Sequence, residues 1–103
     1  MRSDPKALEI TFSKLGAMKY ISHLDVMRVF SRALRRAELP LVITQGFTPR
    51  IKMRFERALK VGVESEHEKA VFYFTEEVPV ERFVTLLNSI LPKGIFISHA
   101  RYL

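Results

Sequence analysis

The side chains best suited to chemistry fall in one stretch, from Ser22 to Arg50. It opens with Ser22-His23-Leu24-Asp25, which sets a hydroxyl, an imidazole and a carboxylate side by side. Arg28, Arg32, Arg35 and Arg36 follow, and then the loop Gln45-Gly46-Phe47-Thr48-Pro49-Arg50. A guanidinium is a planar fork that meets phosphate or carboxylate through paired hydrogen bonds. A glycine loop can turn its backbone amides toward an anion, and an aromatic ring can stack on a base. Anion recognition is the chemistry this set of residues suits best.

A helix must position the arginines. Ser22 followed by Asp25 three positions on is a capping box that opens one, and the pattern carries it to about Ala37. At about 100° per residue, Asp25, Arg28, Arg32, Arg35 and Arg36 fall within about a third of the circumference. Met27, Phe30, Ala33, Leu34 and Ala37 lie opposite, so the helix buries one face and presents a cationic row on the other. The competing reading pairs these arginines internally with Glu64, Glu66 and Glu68, which share one face of an extended segment. The two are compatible, since a carboxylate can hold an arginine in position for a ligand.

In the loop, Gly46 gives conformational freedom and Pro49 stiffens the exit, with Gln45, Thr48 and Arg50 as polar contacts. Phe47 can stack on a base, but as a ring in a structural turn it reads first as a core plug. His23 beside Asp25 can carry a proton or bind a phosphate at the helix start; its angle on the apolar side favours a buried, locally satisfied ring. Glu64, Ser65 and Glu66 form the supporting edge of this composite surface. Glu64, Glu66, His67 and Glu68 could also ligate a hard metal, yet charged turn residues usually stay solvated, and no metal is expected.

These residues also resemble a known family. Taken with Lys14-Leu15-Gly16 before them and Gly62-Val63-Glu64-Ser65-Glu66-His67-Glu68 after, they are similar to the radical-SAM-linked domain of unknown function. The resemblance runs from about Ile10 to Ile97. It departs in the loop, where Thr48 stands for the usual asparagine and Ile51 for a second proline. Bacterial members are often fused to, or encoded beside, a radical-SAM protein, and they tend to continue further. The resemblance implies a radical-SAM protein or domain as partner, and it brings no settled activity.

At 103 residues the chain reads as one domain over residues 1–103, with 48% hydrophobic and 27% charged residues, as in ordinary globular proteins. It has no cysteine, so it holds neither a disulfide nor a cysteine-ligated iron–sulfur cluster, and no cofactor is expected in this chain. The cluster of radical-SAM chemistry would then lie on another polypeptide or domain. No apolar run approaches the ~20 residues of a membrane span, and the first residues lack a signal peptide's apolar core, so the expected compartment is the cytoplasm. The net charge of +6 and pI of about 10.0 favour a polyanionic partner, modestly.

Leu8, Ile10 and Phe12 alternate with polar residues as a half-buried strand. After the arginine helix, Leu41–Ile43 and Ile51–Phe55 read as extended, and Ala70–Phe74 as a central strand. Val80, Phe83, Val84, Leu87 and Leu91 mark one buried face of a second helix, stopped by Pro92 and Gly94, and Ile95-Phe96-Ile97 begins a last strand. This order predicts an α+β, ferredoxin-like βαββαβ sandwich, a four-stranded antiparallel sheet with both helices on one face. Between Phe55 and Lys69 the two middle strands have room to extend as a ribbon. The other sheet face lacks the two-strand aromatic platform of RNA-reading sandwiches, and docking of another domain or a second copy would explain its apolar central strand.

No nucleophile–base–orienter set emerges. The expected function is therefore a noncatalytic substrate-recognition or docking domain binding RNA through the arginine surface, with association to a radical-SAM enzyme implied by the resemblance. One alternative is a protein-interaction module for an acidic partner surface. Another is a small enzyme using His23, Asp25 and Glu64 on a phosphorylated small molecule. Nothing in the sequence specifies an oligomeric state.

Overall fold

Alternation along the first strand sets the architecture. The computed structural model describes residues 4–103. In it, β1 (Lys6–Lys14) buries Leu8, Ile10 and Phe12 completely on one side. β1 pairs antiparallel with β3 (Ser65–Phe74) and, on its other edge, with β4 (Ile97–Tyr102). β2 (Met53–Phe55) adds to the free edge of β3, giving the order β2-β3-β1-β4. The register places Leu8 opposite Phe72 and Ile10 opposite Ala70, so the apolar residues of both central strands share one face.

Both helices cover that face. α1 (His23–Arg36) sets Phe30 edge-on to Phe12 with ring centroids 5.0 Å apart, and 5.3 Å from Phe72. α2 (Val80–Ile90) brings Phe83 to within 6.2 Å of Phe72 and 5.7 Å of Phe74. A shared contact with Phe72 is possible only if the helices lie side by side on the same layer. The result is the α+β, ferredoxin-like sandwich expected from the element order.

Local chemistry sets the ends of these elements. Ser22 Oγ accepts the Asp25 N–H at 3.1 Å, as an N-cap should. Asn88 clamps α2 to β4, donating to the Ile97 carbonyl at 2.9 Å and accepting the Ile97 N–H at 2.8 Å. Gly94 has φ 101°, and a Cβ there would strike the Leu15 carbonyl oxygen and the Met18 side chain. Only glycine lets this turn pass so close to the short 3-10 helix Gly16–Tyr20.

Two expectations about the middle of the sheet are corrected. β2 begins at Met53 rather than Ile51, because Ile51 pairs with Ile43 and the Lys52 N–H donates to the Val42 carbonyl at 2.8 Å. Residues 41–52 thus form an arm of their own, anchored where Leu41 pairs with Phe74. Nor do the two middle strands extend together as a ribbon. β3 runs back to Ser65, but β2 stops at Phe55, and the additional length of β3 pairs with β1, Phe12 opposite Glu68 and Lys14 opposite Ser65.

Candidate nucleic-acid interface

The arginine row faces outward, with Arg28, Arg32, Arg35 and Arg36 all exposed. Arg28 Nη1 contacts Asp25 Oδ1 at 3.2 Å within the helix. Arg32, Arg35 and Arg36 form no ion pair among the described residues. Their internal pairing with Glu64, Glu66 and Glu68 does not occur, because those carboxylates are elsewhere engaged or exposed. Glu64 Oε2 accepts the Gly16 N–H at 2.8 Å, Glu68 binds Arg57, and Glu66 is exposed.

The row divides between two grooves. Arg28 and Arg35 border a groove of about 320 Å³ between α1 and the arm, whose opposite wall carries Arg50 and Ile51. Leu24, Met27 and Met53 supply its apolar lining. Arg32 and Arg36 instead border a groove of about 330 Å³ on the other flank, with Ile90 and Pro92. The loop therefore meets the row through Arg28 and Arg35, while Arg32 and Arg36 look toward the end of α2. Arg35 and Arg50, without an ion-pair partner among the described residues, raise the positive potential of the groove they share and lower the free energy of an anion placed there, while Asp25 offsets part of Arg28's charge.

The arm is held open by a short ladder. The Thr44 N–H donates to the Arg50 carbonyl at 2.7 Å, and Thr44 Oγ1 accepts the Arg50 N–H at 3.0 Å. Beyond this closure Gln45, Gly46, Phe47, Thr48 and Pro49 are all exposed. Gly46 takes φ 145°, in the region that favours glycine. Phe47 is fully exposed, which corrects the core-plug reading. Every residue from Ile43 to Arg50 is exposed, so the tip has no core around it.

Behind α1 lies a polar junction that the sequence reading did not assemble. Lys14, at 1% exposure, donates from Nζ to the carbonyl oxygens of Ile21 at 2.6 Å and Lys60 at 2.9 Å. Burial pushes its ammonium below the ordinary lysine value, against the attraction of Glu68. Arg57 donates to both oxygens of the buried Glu68, at 3.0 and 2.8 Å. These bonds hold the Glu68 carboxyl below the usual range, burial opposing them. His23 is half-buried; its Nδ1 accepts the Leu59 N–H at 3.1 Å, and its ring lies edge-on to Phe55 at 5.1 Å. Ser65 Oγ accepts the His67 N–H at 3.4 Å beside this junction. Lys14, Gly16, His23, Glu64 and Glu68, all motif residues in the sequence, here fasten one chain crossing to another, while Ser22 only caps its own helix. Arg57 and Lys60 carried no sequence signal beyond being basic.

The open sheet face differs in kind. Val71 stands opposite Glu9 and Arg54, in a depression also lined by Glu56 and Lys69, and it is 5% exposed. The stems of its charged neighbours account for a buried valine on this side without a docked domain. Tyr73 is the aromatic that faces outward; its hydroxyl lies 3.4 Å from Arg54 Nε and its ring under Lys52 Nζ at 4.6 Å. Phe72 and Phe74 are in the core.

Among the described residues no three histidine, aspartate or glutamate side chains are grouped to hold a metal ion. Among them, too, no helix is long and apolar enough to cross a membrane. No curated protein and no solved structure matches the chain significantly. A family model does match, over residues 7–103, nearly the full span of the sandwich. The chain belongs to that family, described as an uncharacterized protein conserved in bacteria (DUF2344).

Proposed function

We propose that this chain is a noncatalytic recognition domain that binds RNA through its phosphates on the surface formed by α1 and the arm, in company with a radical-SAM protein or domain. The observation that carries the RNA reading is the pairing of Arg35 and Arg50. They come from different elements, border one groove, and have no carboxylate partner among the described residues. The net charge of +6 points the same way. A small enzyme built on His23, Asp25 and Glu64 is less well supported, because each is already engaged: His23 by Leu59, Asp25 by Arg28, Glu64 by Gly16. The radical-SAM partnership rests on resemblance, and co-elution of the chain with a radical-SAM protein encoded beside it tests that part.

The RNA reading is tested by titrating a tRNA and an unrelated oligonucleotide with wild type and with the Arg35→Ala/Arg50→Ala double variant. Phosphate contacts by Arg28, Arg35 and Arg50, each with a salt slope of roughly 0.7 to 0.9, lower affinity roughly twenty- to fortyfold between about 50 and 200 mM salt. The double variant should bind both ligands more weakly and lose roughly 1.5 of that slope. Absence of binding at low salt, or binding untouched by the substitutions, would refute it.

A further inference from the structure

The groove between α1 and the arm has a feature that phosphate binding does not require: beside its arginines and Ser31 it carries an apolar strip of Leu24, Met27, Ile51 and Met53. Leu24 is 49% exposed, Met27 and Met53 are half-buried, and the three arginines stand around them. A surface that read only phosphates would need its guanidiniums but no apolar strip between them. A concavity with an apolar lining and a cationic border is complementary to a flat group with apolar faces and an anion at its edge. We infer that the groove takes the base of an unpaired nucleotide, with its phosphates on Arg28, Arg35 and Arg50, so that the ligand is single-stranded RNA rather than a duplex. The inference rests on the RNA reading above and names the form of ligand that the same site accepts.

Two further observations favour this form. A duplex keeps its bases stacked and offers this groove only backbone, leaving the apolar lining exposed to water, whereas a single strand can swing a base into it. Phe47, fully exposed at the tip of the arm, is a second planar platform, and only Thr48 and Pro49, at most about 11 Å of chain, separate it from Arg50. Adjacent bases of one strand can thus meet the groove and the ring. Stacking of this kind tolerates any base, so the binding should show little sequence preference.

The test compares three RNAs by fluorescence anisotropy at about 150 mM salt, where weak surface attraction is screened. One is an unstructured single strand of about twelve nucleotides, within the span such surfaces cover. The second has the same backbone with its central bases removed, so every phosphate remains. The third is the first in a perfect duplex. The intact single strand should bind about tenfold more tightly than either of the others. A Leu24→Ala/Met27→Ala variant that melts normally should erase the difference between intact and abasic strands. The abasic comparison alters only the ligand, so it stands even if that variant misfolds. Equal binding of all three RNAs, still lost with Arg35→Ala/Arg50→Ala, would overturn the base-binding groove and leave phosphate recognition in place. No binding of any RNA, either at about 150 mM or when repeated at about 50 mM salt, would overturn both. Preference for a peptide rich in glutamate and leucine over all three would assign the groove to a protein and overturn the inference.

Discussion

The Nδ1 of His23 accepts the backbone N–H of Leu59 at 3.1 Å, tying the first turn of α1 to the segment between β2 and β3. An imidazole next to an aspartate in sequence is here a tether, since its acceptor nitrogen is already occupied. Lys14 ties the same segment to Ile21, and Glu64 ties it to Gly16. These three contacts hold the start of α1, and so the face that carries the arginines. The motif residues serve the candidate interface by orientation rather than by touching a ligand.

Lys14→Met should lower stability by about 2 kcal/mol, because the carbonyls of Ile21 and Lys60 lose the donor they share in a buried site. Urea unfolding of wild type and variant measures this directly. An unchanged midpoint would mean that water replaces the ammonium at no cost.

Acid should act through Glu68. Hydrogen bonds from Arg57 hold its carboxyl below the usual carboxylate range, so the unfolded chain takes up a proton more readily than the folded one. The stabilisation is then complete above about pH 5 and falls as pH drops through the unfolded value toward the folded one. Glu68→Gln should be less stable than wild type at neutral pH and show a flatter loss in acid, read from urea midpoints at several pH values. Parallel curves for the two proteins would place the acid sensitivity elsewhere.

The fold was legible wherever one face of an element is buried and the other wet. Leu8, Ile10 and Phe12 gave β1, the Val80 to Leu91 stripe gave α2, and Ser22 marked the start of α1. Features that depend on where the chain crosses itself were not legible. Ile51 has the pattern of a strand residue, yet it pairs with Ile43, since periodicity cannot specify a partner. Lysine has no apolar signature, so burial of Lys14 follows only from the two carbonyls that converge on it. Glu68 met Arg57 rather than the helix row because β3 carries it away from α1's outer face. Phe47 misleads because hydrophobicity predicts burial only where a core lies within reach.

Glu38, just past the end of α1, has φ 55°, a left-handed conformation that side chains with a Cβ adopt at a cost. Glu38→Gly should raise stability by about 0.5 to 1 kcal/mol, with the melting temperature rising by several degrees. Lower stability would indicate that the glutamate side chain contributes more than the strain removes.

The most direct test of the central claim is residue-level mapping of RNA contact by backbone amide NMR shifts. On addition of a short single-stranded RNA, the largest changes should fall on α1 at Arg28 and Arg35 and on the arm from Gln45 to Ile51. Residues of the open sheet face, including Arg54, Lys69 and Arg101, should change little, although they are also basic. Shifts concentrated on that face, with α1 and the arm silent, would contradict the account.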